Sequence, residues 1–218
     1  MKLRILITAG PTREFIDPVR FISNPSTGFF GYQIASEAVR RGHKVTLISG
    51  PTPLTPPGKV RFIPVTSASD MKREVEKFFP KCDCLIMSAA VSDYRPIRVY
   101  SRKIKKKKSR LTLKLERSPD ILSMIAKKKR DRTIIGFALE SDDLKENARR
   151  KLETKNLDYI IAASINKRKP PFGDCKIRVL IIPRAGKAET VFSSKKNLSR
   201  IILDKAAATK YAYSRGKI

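Results

Sequence analysis

Apolar residues follow two alternating rhythms along this chain. The runs Leu3–Ala9, Lys44–Ser49, Val60–Val65, Cys84–Ala89, Thr133–Ala138 and Tyr159–Ala163 are too short for helices and too continuous for strands with one wet face. They read as strands buried on both faces. Between them the spacing turns helical. Phe30, Ile34, Ala38 and Val39 make one stripe over Thr27–Arg41, and further helices fit Ser69–Phe79, with Ser67 or Ser69 as cap, and Asp142–Lys155. Gly10-Pro11 and Gly50-Pro51 close the first two strands. Strand–helix–strand units with short returns predict an α/β fold: a three-layer, Rossmann-like, doubly wound and mostly parallel sheet. Arg178–Pro183 and Glu189–Phe192 flank Ala185-Gly186 as an antiparallel pair, a small extension over about 176–193, and a last helix covers Lys195–Tyr213. Residues 1–218 read as a single domain without internal repeats.

Two segments break this rhythm. Arg13–Ser26 is inserted between the first strand and its helix, and Arg102–Arg110 is a basic run ahead of a strand-like Leu111–Leu115. Both read as loops, and loops this long in compact α/β units are usually functional or disordered. Charge changes the picture further. In 218 residues, 48 Lys and Arg face 20 Asp and Glu, a net +28, which excludes an acidic solvating protein and favours polyanionic partners. Much of the excess sits at solvent-facing helix positions such as Lys127–Arg130. Tryptophan is absent, aromatics are 7%, and no recognition module is present, so nucleic-acid binding is expected to be non-specific at most and to fall with salt. No run approaches the roughly 18 apolar residues of a membrane span. Met1–Ile7 is charged within its apolar stretch and has no cleavage pattern, so a cytoplasmic protein is expected. Cys82, Cys84 and Cys175 make no disulfide framework, and Cys82-x-Cys84 has the wrong spacing for a zinc knuckle. His43, next to Gly42 at a helix end, is the lone histidine, so a Ser-His-Asp triad and a multi-histidine metal site are both excluded.

Ser26-Thr27-Gly28-Phe29-Phe30-Gly31 opens the first helix and resembles a G-x-G-x-x-G turn with serine in first place. Free N–H groups at such a helix start favour an anion. A dinucleotide site, and with it an NAD(P) oxidoreductase, fits poorly. About 15 residues separate strand from helix, and a second strand ending Leu47-Ile48-Ser49-Gly50 offers no carboxylate for a ribose. No P-loop motif occurs.

A series of motifs is more specific. Thr8-Ala9-Gly10-Pro11-Thr12-Arg13-Glu14 precedes Asp17-Pro18-Val19-Arg20-Phe21-Ile22-Ser23-Asn24-Pro25-Ser26. Ala89-Ala90-Val91-Ser92-Asp93-Tyr94-Arg95, Lys103-Ile104-Lys105-Lys106, Ser118-Pro119-Asp120-Ile121, Gly136-Phe137-Ala138-Leu139-Glu140 and Lys155-Asn156-Leu157-Asp158 follow in order. From Ile5 to Ala163 this resembles the phosphopantothenoylcysteine synthetase (phosphopantothenate–cysteine ligase) family of coenzyme A biosynthesis. Ser164-Ile165 depart from that family's Asn-Asp, and its flavin-dependent decarboxylase half is absent, so a stand-alone ligase is expected.

The resemblance implies a bacterial-type enzyme that joins 4'-phosphopantothenate to cysteine with CTP and Mg²⁺, through an acyl-cytidylate, as a homodimer. It implies that Asn24 and Lys103 are catalytic, Lys103 lying on a mobile flap of about 99–112. It places Arg20, Asn24, Gly28 and Ala90 on the acid substrate. It places Met87, Ser88, Ala89, Asp93, Lys103, Pro119, Asp120, Ile121, Leu122, Phe137, Lys151 and Lys155 on the nucleotide. The chemistry suits these residues, because two anionic reactants need cations and oriented amides more than a general base. No metal ligands are assigned. Ser118 reads as the N-cap of a helix with Pro119 in its first turn.

Overall fold

The computed structural model describes residues 2–106, 109–165 and 170–216. Its elements are β1 (Arg4–Ala9), β2 (Arg13–Phe15), β3 (Phe21–Ser23), α1 (Phe29–Arg40), β4 (Lys44–Ser49), β5 (Val60–Pro64), α2 (Ala68–Phe78), β6 (Cys84–Met87), β7 (Tyr94–Pro96) and β8 (Leu115–Arg117). They continue with α3 (Ile121–Ala126), β9 (Thr133–Glu140), α4 (Leu144–Thr154), β10 (Tyr159–Ser164), β11 (Lys176–Pro183), β12 (Glu189–Ser194) and α5 (Lys195–Ser214). The main sheet has the order β12-β11-β10-β9-β6-β1-β4-β5. The stretch β5-β4-β1-β6-β9-β10 is parallel, while β11 and β12 are antiparallel. In chain order the parallel strands lie 3-2-1-4-5-6, a doubly wound topology whose strand order reverses at β1 and β6.

Alternation along each buried strand builds two cores. Ile5, Ile7, Leu47, Ile86 and Ile161 pack with Ile34 and Ala38 of α1 and Leu198 and Ile202 of α5. Leu6, Ile48, Leu85, Ile134 and Ile160 face the other way, onto Met71 and Val75 of α2, Ile121 of α3 and Leu152 of α4. Ser67 rather than Ser69 starts α2. Its hydroxyl accepts from the Asp70 N–H at 3.1 Å, and the Asp70 carboxylate accepts from the Ser67 N–H at 3.0 Å, a capping box.

Four expectations need correction. The insertion 13–26 contains a hairpin, β2 pairing β3. The strand expected over 111–115 is reduced to β8, which pairs β7 only as far as Pro96; Leu111 is exposed, with no buried face to hold it in a ladder. Ser118 does not cap α3. Asp120 does, accepting from the Ser123 N–H at 3.0 Å, and the buried Ser118 hydroxyl has no partner among the described residues. Lys129 is not solvent-facing: at 6% exposure its ammonium donates to Asp158 Oδ1 at 2.7 Å, which also accepts from Tyr213 at 2.6 Å. Burial lowers the Lys129 pKa, and the Asp158 bond opposes the drop.

His43 lies just past Gly42, as the sequence indicates, and its Nδ1 accepts from the Leu3 N–H at 3.1 Å. Cys82 and Cys84 are buried, and burial pushes the Cys82 thiol up to about 12. No helix among the described residues is long and apolar enough to cross a membrane.

Buried Glu37 of α1 gathers Arg40 at 2.7 Å and Arg41 at 2.9 Å, and Arg41 reaches Asp204 of α5 at 2.6 Å. The Arg40 bond draws the Glu37 carboxyl down to about 2 against burial, with help from Arg41. Its folded pKa is therefore depressed. Stability from this group is present above the ordinary value of 4.5 and is lost as the pH falls toward about 2. Thermal melting should show a falling midpoint across that window, and Glu37→Gln should flatten that part of the curve.

Candidate active site at the strand switch point

The chain leaving β1 and the chain leaving β6 are stitched together. Ser88 Oγ donates to the Thr8 carbonyl at 2.7 Å, and the Ala89 N–H donates to Thr8 Oγ1 at 3.2 Å. The Ala90 N–H donates to the Gly10 carbonyl at 2.9 Å, and the Thr12 N–H to the Ala90 carbonyl at 3.2 Å. The Ser92 N–H ends the seam on Thr12 Oγ1 at 2.9 Å. In open α/β sheets ligands bind at this switch point, beyond the carboxyl ends of the strands.

Helix α1 approaches the seam closely because of two glycines. A Cβ at Gly31 would lie 2.6 Å from both Ala9 Cβ and Ser88 Oγ. Gly28 is the α1 N-cap at φ 76, a left-handed conformation that side chains resist; it brings no capping side chain of its own, and Thr27 Oγ1 accepts from the Phe29 N–H at a long 3.4 Å. The first turn of α1 carries no acidic residue, so its N–H groups beyond Phe29 can donate to an anion.

Two cavities open on either side of this seam. The first, about 500 Å³, is lined by the expected nucleotide residues Met87, Ala89, Asp93, Pro119, Asp120, Ile121, Leu122, Phe137, Lys151 and Lys155. The second, about 430 Å³, is lined by the expected acid-substrate residues Asn24, Gly28 and Ala90, and also by Ser88. Both cavities touch Ala89, Val91, Asp93, Phe137 and Lys151, so they share one wall. Phe30 packs edge-on against Phe137, centroids 5.2 Å apart. Asn24 Nδ2 donates to the Ala90 and Val91 carbonyls at 3.2 and 3.3 Å, long bonds that an acyl oxygen can displace. The Ala89 N–H is already taken by Thr8 and is not free for a base.

Cations concentrate around the first cavity. Lys155 pairs with Asp120 and donates to Ser123 Oγ at 2.6 Å. Burial lowers its pKa, and Asp93 opposes that shift. Arg20 and Lys103 line neither cavity. Arg20 pairs with Asp17 and holds its carboxyl well below the usual range, and Lys103 is exposed. Lys107 and Lys108, inside the expected flap, lie outside the described residues. The sequence reading missed Val91, Ser92, Tyr94 and Arg117 in the first cavity. Arg117 had a readable signal, a cation one residue before Ser118-Pro119-Asp120. Lys195 in the second cavity had none. Though drawn from a polar helix start, it is buried, donating to the Pro171 carbonyl at 2.8 Å and to that of Gly173. Among the described residues no group of three or more His, Cys, Asp or Glu could hold a metal ion.

The family model for the DNA/pantothenate metabolism flavoprotein C-terminal domain matches residues 1–209. The coenzyme A biosynthesis bifunctional protein CoaBC of Bacillus subtilis is 44% identical over 206 residues, 94% of this chain and 51% of that protein. The chain thus spans about half the length of the curated relatives it matches. The crystal structure of a CoaBC C-terminal domain is 40% identical with a TM-score of 0.79, covering 93% of this chain and 92% of that one. A DNA/pantothenate metabolism flavoprotein from Streptococcus pneumoniae is 26% identical with a TM-score of 0.82, covering 94% and 99%.

The seam is open to test. Thr8→Val keeps the shape of a buried side chain but leaves the Ala89 N–H without its acceptor. A loss of about 1–3 kcal/mol in denaturant-measured stability is expected.

Proposed function

The chain belongs to the DNA/pantothenate metabolism flavoprotein C-terminal domain family, and from that premise we propose that it joins 4'-phosphopantothenate to L-cysteine at the expense of CTP. One observation carries this reading: two cavities with a shared wall, one at a glycine-started helix N-terminus and one rimmed by lysines. A carboxylate in the second cavity can then meet a triphosphate in the first.

In the proposed reaction the substrate carboxylate oxygen attacks the α-phosphorus of CTP. The α–β anhydride bond breaks and pyrophosphate leaves. The cysteine amine then attacks the acyl carbon and sheds a proton, the acyl–oxygen bond breaks, and CMP leaves. The α1 N-terminus at Gly28 would hold the acid's phosphate. Asn24 would give up a weak carbonyl contact to donate to the acyl oxygen, where charge develops. Lys151 and Lys155 would neutralise the polyphosphate, Asp120 surrendering Lys155 as it binds. Phe137 would pack on the nucleotide, with Met87 and Ala89 along its base, while Ser88 lines the second cavity. Asp93 and Asp120 would face an Mg²⁺ ion brought by the nucleotide, and its charge would help neutralise the polyphosphate. The residues fit a metal that arrives on the nucleotide, since Asp93 and Asp120 are the carboxylates lining the first cavity. The exposed Val19, Ile97 and Val99, beside the β2–β3 hairpin and β7, support a homodimer, checked by light scattering.

The test mixes protein, Mg²⁺, CTP, 4'-phosphopantothenate and cysteine, and follows pyrophosphate and CMP. Product formation that ignores CTP would overturn the reading. Asn24→Asp removes the donor and adds a like charge, so kcat should fall about 10²–10³-fold with the fold retained by circular dichroism. Lys103→Gln should raise the CTP concentration needed for half-maximal rate; an unaltered CTP curve would remove Lys103 from the reaction.

A further inference from the structure

Neither cavity is lined by Asp17, yet it is fully buried. Its Oδ1 accepts from the backbone N–H groups of Val19 and Arg20, both at 2.9 Å, an ordinary local turn. Its Oδ2 does something a turn does not require. It accepts from Arg20 Nε at 3.0 Å and from the Ile104 N–H at 3.1 Å, across 87 residues of chain, and Arg20 Nη2 also pairs with it. The same Nη2 donates to the Ile104 carbonyl at 3.1 Å. Nearby, the Tyr100 N–H donates to the Ile16 carbonyl at 2.9 Å. Residues 100–104 are therefore fastened at both ends to the turn at 16–20, and Lys103 sits between the fastenings. A carboxylate withdrawn from water is tolerated when charged and backbone donors replace its hydration, as they do here.

We propose that Asp17 is a positioning residue: its carboxylate sets the Arg20 guanidinium and the segment bearing Lys103 as one unit. The roles of Arg20 and Lys103 rest on the ligase reading; the fastening does not. Asp17 and Ile104 engage Nε and Nη2, and among the described residues Nη1 has no partner. That edge of the guanidinium is left for an anionic reactant, at an angle Asp17 fixes. The same carboxylate decides where the chain emerges toward Lys103.

Two measurements test this. Hydrogen exchange at the Ile104 amide should be at least about tenfold faster in Asp17→Asn, with the amides of β1 unchanged; unchanged Ile104 exchange overturns the proposal. Asp17→Asn should lower kcat/KM for 4'-phosphopantothenate about 10²-fold, and less than about threefold in a chain already carrying Arg20→Gln and Lys103→Gln, because the groups it acts through are gone. An equal loss in both backgrounds marks a merely structural role and overturns it. Ile104→Pro deletes the donor without touching Asp17 and keeps the question open to experiment should Asp17→Asn not fold. It should show the same activity loss, and normal turnover would overturn the proposal. If the wild-type chain makes no phosphopantothenoylcysteine, the ligase reading falls, and the exchange result still decides whether Asp17 holds the segment.

Discussion

The seam between the exits of β1 and β6 is the constraint from which the rest of the site follows. Parallel strands end with their backbone groups unpaired, and burial forbids leaving them so. Thr8 and Thr12 meet this demand with their hydroxyls, and Gly10 and Ala90 with their backbones. Once these bonds form, the positions of Ala89, Ala90 and Val91 are fixed, and Ala89 and Val91 belong to the wall the cavities share. Asn24 is tied to the same wall through the Ala90 and Val91 carbonyls. One run of hydrogen bonds thus sets the relative placement of both cavities, and the proposed condensation would need that placement more than any single side chain.

Charge around that wall follows a second rule. A buried cation without a partner is costly, so several of these cations are engaged before any ligand arrives. Lys155 has Asp120, Lys195 has the carbonyls of Pro171 and Gly173, and outside the cavities the partly exposed Arg20 has Asp17. On the ligase reading a polyanion draws Lys155 away from Asp120 but leaves Arg20 on Asp17 and meets its Nη1 edge.

The fold was legible because each buried strand carries its pattern on its own residues. Ile5, Ile7 and Leu47 serve one core, Leu6 and Ile48 the other, and no distant information is needed to see that these runs are strands. The two families of cavity residues were legible through motif order. What escaped reading depended on partners far along the chain. Lys129 looks exposed among its charged neighbours, and only Asp158 and Tyr213 make it a buried ion. Ser118 has the right residue type for a cap, but Asp120 stands closer to the first free N–H groups of α3 and takes the position. Leu111 has strand propensity without a face to bury. Lys195 entered the second cavity because residues 170–175 fold over it, a contact no local pattern encodes.

The net +28 separates into near and far contributions. Few of these cations reach the cavities, and among the rest many lie far from them on the surface. At physiological salt a charge is screened over about 8 Å, so distant lysines add little to the free energy of a bound nucleotide. They do shape the potential that an approaching anion feels, and that potential acts on encounter rates. The local ion pairs, by contrast, sit in partly dry surroundings where screening is weak, and they govern what stays bound. The excess charge and the site are thus two separate electrostatic devices on one chain. Salt should distinguish them, since it erodes the first at concentrations that leave Arg20 on the buried carboxylate of Asp17.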